Sequence, residues 1–164
     1  TGRTGFAAII FIDDKSTLKI KGNTEAVISG QRTAASISKK INMDIGTVRA
    51  TIQKQNTDFV IQTPTSVASV KGTDFWLITD PVAGDQVIGI DGIISLVNSE
   101  TGQEVEVTEG MSGISTPDGN IGLKNTDPVS IPDDPSDEQD GPSQIKIYLE
   151  GPNGEQKVLV IEYQ

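Results

Sequence analysis

The sequence predicts an all-β fold: a compact, mostly antiparallel sandwich or solenoid-like β domain followed by a C-terminal β-hairpin. Three observations point there. The apolar residues are mostly Val and Ile, and β-branched side chains fit a pleated, half-buried surface. Seventeen glycines and eight prolines punctuate the chain at short intervals. Between these breaks, apolar and polar residues alternate with period two.

The strands follow in order. Phe6–Ile12 is apolar enough for a buried strand, and Asp13-Asp14-Lys15-Ser16 is a polar turn. Thr17–Lys21 alternates as TLKIK, which turns Leu18 and Ile20 inward and Lys19 and Lys21 to water. Thr24–Ser29 is the next strand, closed by Gly30. The stretch TAASISKKIN at 33–42 could start a helix, but Ser and Thr are poor helix-interior residues, so strand is favoured. TVRATIQ at Thr47–Gln53 sets Val48, Ala50 and Ile52 on one face. Further strands are expected at Asp58–Gln62, Val67–Val70, Asp74–Thr79, Gln86–Ile90, Ile93–Asn98 and Glu104–Thr108. Asp91-Gly92, between VIGI and IISLV, signals a tight hairpin.

The remainder changes character. Residues 112–143 carry five prolines among Asp, Gly, Asn and Ser, and IPDDPSDEQDGP reads as an acidic linker. After it, QIKIYLE and QKVLVIEY flank GPNGE, a hairpin with Asn153-Gly154 at its turn. The predicted organisation is a β domain over 1–116, a linker over 117–143 and a hairpin over 144–164. A lone hairpin is marginal in water, so it must dock on the main domain or begin a further module.

Composition narrows function. Net charge is −10, unevenly spread: residues 1–72 hold ten basic and five acidic side chains, and the rest hold three and eighteen. That negative field disfavours nucleic acid and anionic membrane surfaces. Cysteine is absent, which leaves the redox compartment open. No apolar run is long enough to cross a bilayer as a helix, so direct membrane insertion of this stretch is not expected. The chain begins TGRTGFAAII, without a methionine, and reads as a piece of a longer protein.

With no His and no Cys, the commonest nucleophiles, bases and metal ligands are missing. Paired carboxylates could still act, and Asp74, Asp80, Asp85 and Asp91 are candidates by type. Most sit beside Gly or Pro at strand ends, where turn-forming Asp belongs, so no catalytic residue is expected and no enzyme. Asp133, Asp134, Asp137, Glu138 and Asp140 could supply oxygens to calcium, the one cofactor considered, but they lack EF-hand spacing and read more simply as a solvated linker. GMSGISTPDGNIG precedes no helix and does not support phosphate binding. Phe75 and Trp76 are adjacent and face opposite ways on a strand. Either both are covered, or Trp76, with Asp74 beside it, is exposed to anchor a partner.

The densest stretch is Thr63–Leu77, TPTSVASVKGTDFWL, which reads as strand, turn, strand. Pro64 forces Thr63 into extended backbone. Val67 and Val70 supply β-branched packing. Gly72 follows Lys71 where positive φ or close backbone approach is needed, and Thr73 can hydrogen-bond locally. On these residues, Thr63-Pro64 with Val70-Lys71-Gly72-Thr73 and Phe75, the chain resembles the FecR domain family of extracytoplasmic bacterial regulators. GFAAIIFIDDKSTLKIKGNTEAVI resembles the family's opening, and VIGIDGIISLVNSETGQEVEVTEGM its closing hairpins; the likeness covers roughly 2–116. It implies a periplasmic or extracellular, non-enzymatic signal-relay module. Its partner would be another protein or peptide, such as an outer-membrane receptor signalling domain in sigma-factor control. The alternative is a structural or adhesive surface module, calcium-stabilised through the acidic linker.

Overall fold

In the computed structural model, residues 1–32, 37–55, 59–134, 143–150 and 156–163 are described. Two units separate, Thr1–Pro132 and Asp133–Gln164. The first carries strands β1 Ala7–Ile10, β2 Thr17–Ile20, β3 Glu25–Arg32, β4 Ile37–Thr51, β5 Phe59–Gln62, β6 Ser66–Val70, β7 Asp74–Asp80, β8 Gly84–Asp91, β9 Ile93–Asn98, β10 Glu104–Thr108, β11 Met111–Ser115 and β12 Ile121–Asn125. A 3-10 turn follows at Pro128–Ser130, capped by Asp127, which accepts the Val129 N–H.

The strands form a nearly closed β sandwich. One sheet runs β1-β2-β4-β7-β8-β11-β12, and the other β3-β4-β5-β6-β9-β10. Every pairing in them is antiparallel except β4 with β5. β4 belongs to both sheets. Residues 48–51 pair with β2 and residues 37–45 with β3, so β2, β3 and β4 make one long hairpin bent across the sandwich.

The bend falls at Gly46, whose φ is +124°. A Cβ there would lie 2.3 Å from Thr24 Oγ1 and 2.5 Å from Thr24 Cα, so only glycine lets the two strands cross this closely. Thr24 Oγ1 accepts the Thr47 N–H at 3.1 Å and replaces a ladder bond lost at the corner. The two strands expected at 33–42 and 47–53 are thus one strand from Ile37, because a sheet-changing bend mimics a turn in the sequence.

A second corner lies at Gly92, with φ +83°. The sequence signals a hairpin at Asp91-Gly92. Instead β8 pairs with β7 and β11 in one sheet, while β9 pairs with β6 and β10 in the other. Asp-Gly marks a backbone that needs positive φ; it does not decide where the next strand finds its partner.

Two strands are not expected from the sequence, β11 within the predicted 1–116 domain and β12 in the stretch that reads as linker, and the first unit runs to Pro132. MSGIS and IGLKN carry too few β-branched residues to stand out. Gly113 explains one of them. A Cβ there would sit 2.5 Å from Val107 Cγ2, so glycine lets β11 lie close on the core. That core is the inward row of every central strand, including Leu18, Ile41, Phe59, Ile61, Leu77, Val87 and Leu96, all fully buried. Phe11 meets Phe59 edge to face at 5.6 Å.

The second unit holds β13 Ser143–Glu150 and β14 Gln156–Tyr163, paired antiparallel with Ile145 opposite Ile161 and Ile147 opposite Leu159. The expected hairpin is present; its Asn153-Gly154 turn lies outside the described residues.

Candidate functional site

The Thr63–Leu77 stretch makes β6, its flanking turns and β7. At its start, Thr63 and Ser66 close a tight corner, with the Thr63 N–H donating to the Ser66 carbonyl at 2.9 Å. Thr63 Oγ1 accepts the Thr65 and Ser66 N–H groups at 3.1 and 2.9 Å, so one side chain satisfies two backbone donors. Its own proton has two acceptors in reach, Asp85 Oδ2 at 2.5 Å and the Ser66 carbonyl at 3.2 Å. Ser66 Oγ donates to the same oxygen, and Thr79 Oγ1 to Oδ1. Asp85 is on β8 of the opposite sheet and only 2% exposed. The corner is therefore tied across the sandwich by a buried carboxylate.

Asn98 extends this polar end. Its Nδ2 donates to Ser115 Oγ and the Thr116 carbonyl, and its Oδ1 accepts the Glu100 and Thr101 N–H groups. Nothing local in the sequence links Asp85 with Asn98; each reads only as a polar residue at the end of an apolar strand.

At the far end of β6, Val70 packs inward and Val67 lies half-buried on the outer side. Lys71 is exposed. Gly72 has φ +150°, and a Cβ there would lie 2.8 Å from Lys54 Cγ and 3.0 Å from Lys54 Cα, the close approach expected of it. Thr73 closes the turn with its backbone, which exchanges bonds with Ile52 at 2.7 and 3.0 Å. Among the described residues its hydroxyl has no hydrogen-bond partner, so the expected local side-chain bond is not made there. An open groove of about 340 Å³ passes over Ile52, Lys54, Gly72, Thr73 and Asp91.

On β7, Asp74 takes a two-pronged bond from Arg49, Nε at 3.0 Å and Nη2 at 2.8 Å. Phe75 faces the core at 0% exposure. Trp76 faces the other side, beside Arg49, whose guanidinium carbon lies 5.8 Å from the ring. Yet Trp76 is only 2% exposed, and Ile88, opposite it on β8, is fully buried. The exposed aromatic anchor considered from the sequence is not what Trp76 presents, because both faces of β7 are covered here.

The turn Asp13-Asp14-Lys15-Ser16 holds a second buried charge. Lys39 of β4, 3% exposed, pairs with Asp13 at 2.8 Å and with Asp14, and sits 5.0 Å from the Phe11 ring centre. Burial pushes the Asp14 carboxyl up, but hydrogen bonds from Lys39 and Ser16 outweigh it and hold the group below its ordinary 3.8. Burial likewise pushes Lys39 down, and its bonds to Asp13 and Asp14 outweigh that, leaving it above 10.5.

The four acids considered for chemistry are dispersed into separate roles. Asp74 is held by Arg49 and Asp85 by hydroxyls. Asp80 accepts the Val82 and Ala83 N–H groups at 2.8 Å each, and the Ala83 bond foremost holds its carboxyl below the ordinary value; this is turn chemistry. Asp91 is exposed on the groove. Among the described residues no three acids gather as a cation site. Asp133 and Asp134 are described, while Asp137, Glu138 and Asp140 lie outside the described residues.

Among the described residues, the sandwich has edge strands β1, β3, β10 and β12. β1 has four residues. β10 presents exposed Glu104 and Glu106, with Ser95 Oγ donating to Glu104 at 2.6 Å. β12 carries exposed Lys124. β3 is the longest at eight residues, and it exposes Val27 (63%) and Ile28 (37%).

Comparison with known proteins agrees with this architecture. The family model described as FecR protein matches residues 1–111. Two crystal structures of a candidate anti-sigma factor from Parabacteroides distasonis ATCC 8503, at 1.65 and 2.50 Å, superpose with a TM-score of 0.63 at 15% identity. The match covers 77% of this chain and 58% of that one, so the likeness is one of fold and spans little more than half of that protein. No curated protein matches the chain.

Proposed function

This chain belongs to the FecR protein family, and from that premise we propose that it is the extracytoplasmic, non-enzymatic relay domain of a sigma-factor signalling regulator. Its partner is another protein, with the signalling domain of an outer-membrane receptor the first candidate. Among the described residues no helix is long and apolar enough to cross a membrane, so anchoring and sigma-factor contact would fall to other parts of a longer protein.

One observation carries the choice of surface. Edge strands in folded proteins are normally shortened or charged against stray pairing. β1 is short and β10 is acidic, whereas β3 is long and exposes Val27 and Ile28. An extended partner segment added along β3 would gain main-chain hydrogen bonds and alternate side-chain contacts.

Two measurements test this reading. If the parent gene encodes a membrane helix and lies beside a sigma-factor gene and a receptor gene, the signalling role stands. A secretion signal with further surface modules and no sigma factor nearby would replace it with a structural or adhesive role. Given such a receptor, its isolated signalling domain should slow amide exchange along β3. Unchanged exchange at saturation would eliminate edge pairing while leaving family membership intact.

A further inference from the structure

We propose that Lys39 Nζ and Asp14 Cγ condense slowly to an intramolecular isopeptide bond, with Asp13 carrying the protons. The inference starts from a lysine in a core position. Lys39 stands on the inward row of β4 with Ile41 and Met43, all three buried, where the strand otherwise places apolar side chains. Stability alone does not explain it, because apolar side chains of similar volume commonly hold a core as well as a buried ion pair does. The chemistry gathered around Nζ gives the lysine another use.

The parts of an amide-forming reaction are in place there. Nζ, the nucleophile, contacts Asp14 Oδ2. Asp14 Oδ1 accepts the Ser16 N–H at 2.9 Å, which orients the carboxyl and stabilises negative charge that develops on Oδ1 during attack. Asp13 Oδ2 lies 2.8 Å from Nζ, within reach of its protons. Phe11, whose ring centre is 5.0 Å from Nζ, packs on Phe59 and walls the site. The acids are presented on a closed turn: the Phe11 N–H donates to the Ser16 carbonyl at 2.9 Å and the Lys15 N–H to the Phe11 carbonyl at 2.8 Å.

At rest the pair is ionised. The reacting state forms when one proton passes from Nζ to Asp14 Oδ2 along the contact between them, leaving a neutral amine beside a neutral acid. Nζ then attacks Cγ, and Oδ1 takes the charge against the Ser16 N–H. Asp13 removes a second proton from Nζ and delivers it to Oδ2, which leaves as water. One C–N bond forms, one C–O bond breaks, and Asp13 ends as the carboxylate it began as. The neutral pair is a minor state, so the bond forms slowly and once per chain. A freshly folded chain therefore titrates as the ion triad, and a linked one does not. The bond straps the turn after β1 to β4 in a chain that has no cysteine. Joining residues 25 apart also restricts the unfolded chain. This strap is independent of the partner reading above.

The test is the intact mass of the whole chain, taken fresh from folding and again after prolonged warm storage at neutral pH. A growing fraction should be lighter by one water. Digestion of that fraction should yield a joined peptide carrying Lys39 and Asp14, with fragmentation placing the bond on Asp14. Lys39→Arg keeps the charge and should stay at its full mass. Asp13→Asn should link about a hundredfold more slowly, the low end for loss of a positioned base. An unaltered chain that keeps its full mass on storage, with the Lys39 and Asp14 peptides recovered separately, would overturn the proposal. So would a water loss that Lys39→Arg shares, or Asp13→Asn that links at the unaltered rate. If a variant does not fold, the mass and peptide map of the unaltered chain still decide.

Discussion

Two buried polar sites tie the sheets together, and their partners differ in kind. Asp85 meets three hydroxyls. Lys39 has two carboxylates and an aromatic ring. The first site is built from side chains on rigid strand ends and a tight corner; the second from a turn folded against a strand. The difference teaches that a buried polar group can be satisfied by hydroxyl donors or by an ion triad, so long as its hydrogen bonds are made. It also sets how each site should fail. Asp13 is 32% exposed and can rehydrate, whereas no group around Asp85 reaches water as readily.

The largest effect should come from the hydroxyl site. Asp85→Ala removes the common acceptor of three buried donors and should cost about 3–4 kcal/mol, given about 1–3 kcal/mol for each buried donor left unsatisfied and partial relaxation. Urea unfolding measures it; a loss below that of Lys39→Met would invert the comparison. Lys39→Met should cost about 2–3 kcal/mol, near the low end for breaking a buried pair, because Asp13 can turn to solvent.

The pH dependence separates the sites further. The Asp14 carboxyl is lowered in the folded state, so its contribution is present above about 3.8 and is lost as pH falls through the lower folded value. Lys39 is raised, so its contribution is full below 10.5 and is lost as pH rises through the higher folded value. The stability difference between the unaltered chain and Lys39→Met should therefore be flat near neutrality and shrink at both extremes. A difference that grows at either extreme would contradict the assigned ion triad.

Two small effects serve as controls away from both sites. Val27→Lys on exposed β3 should change stability by no more than about 0.5 kcal/mol, yet abolish protection of β3 by a partner. Emission from Trp76 should be blue-shifted and resist quenching, since the ring is covered; a red-shifted, easily quenched signal would reopen it as an exposed anchor.

Much of this was legible in the residues. Alternation in TLKIK and TVRATIQ fixed which side chains of β2 and β4 face inward, and Leu18, Ile20, Val48 and Ala50 are buried as expected. Lys71-Gly72-Thr73 marked a turn that only glycine can make. What escaped were the consequences of distance. Asp91-Gly92 looked like a hairpin, and 33–53 looked like two strands. Asp85 looked like one more strand-end acid.

The sequence by itself determined most of the strands, the glycine-dependent turns at Gly72 and Gly92 and family membership, because period-two patterning and backbone sterics are local properties of the chain. Only the tertiary structure decided that β4 and the β8–β9 segment change sheets, that Trp76 is covered on the outer side of β7, and that Thr63, Ser66 and Thr79 converge on Asp85. Thr63 and Ser66 lie 22 and 19 residues from Asp85. A hydrogen bond spanning that separation depends on which strands end up adjacent, and no local pattern carries that information.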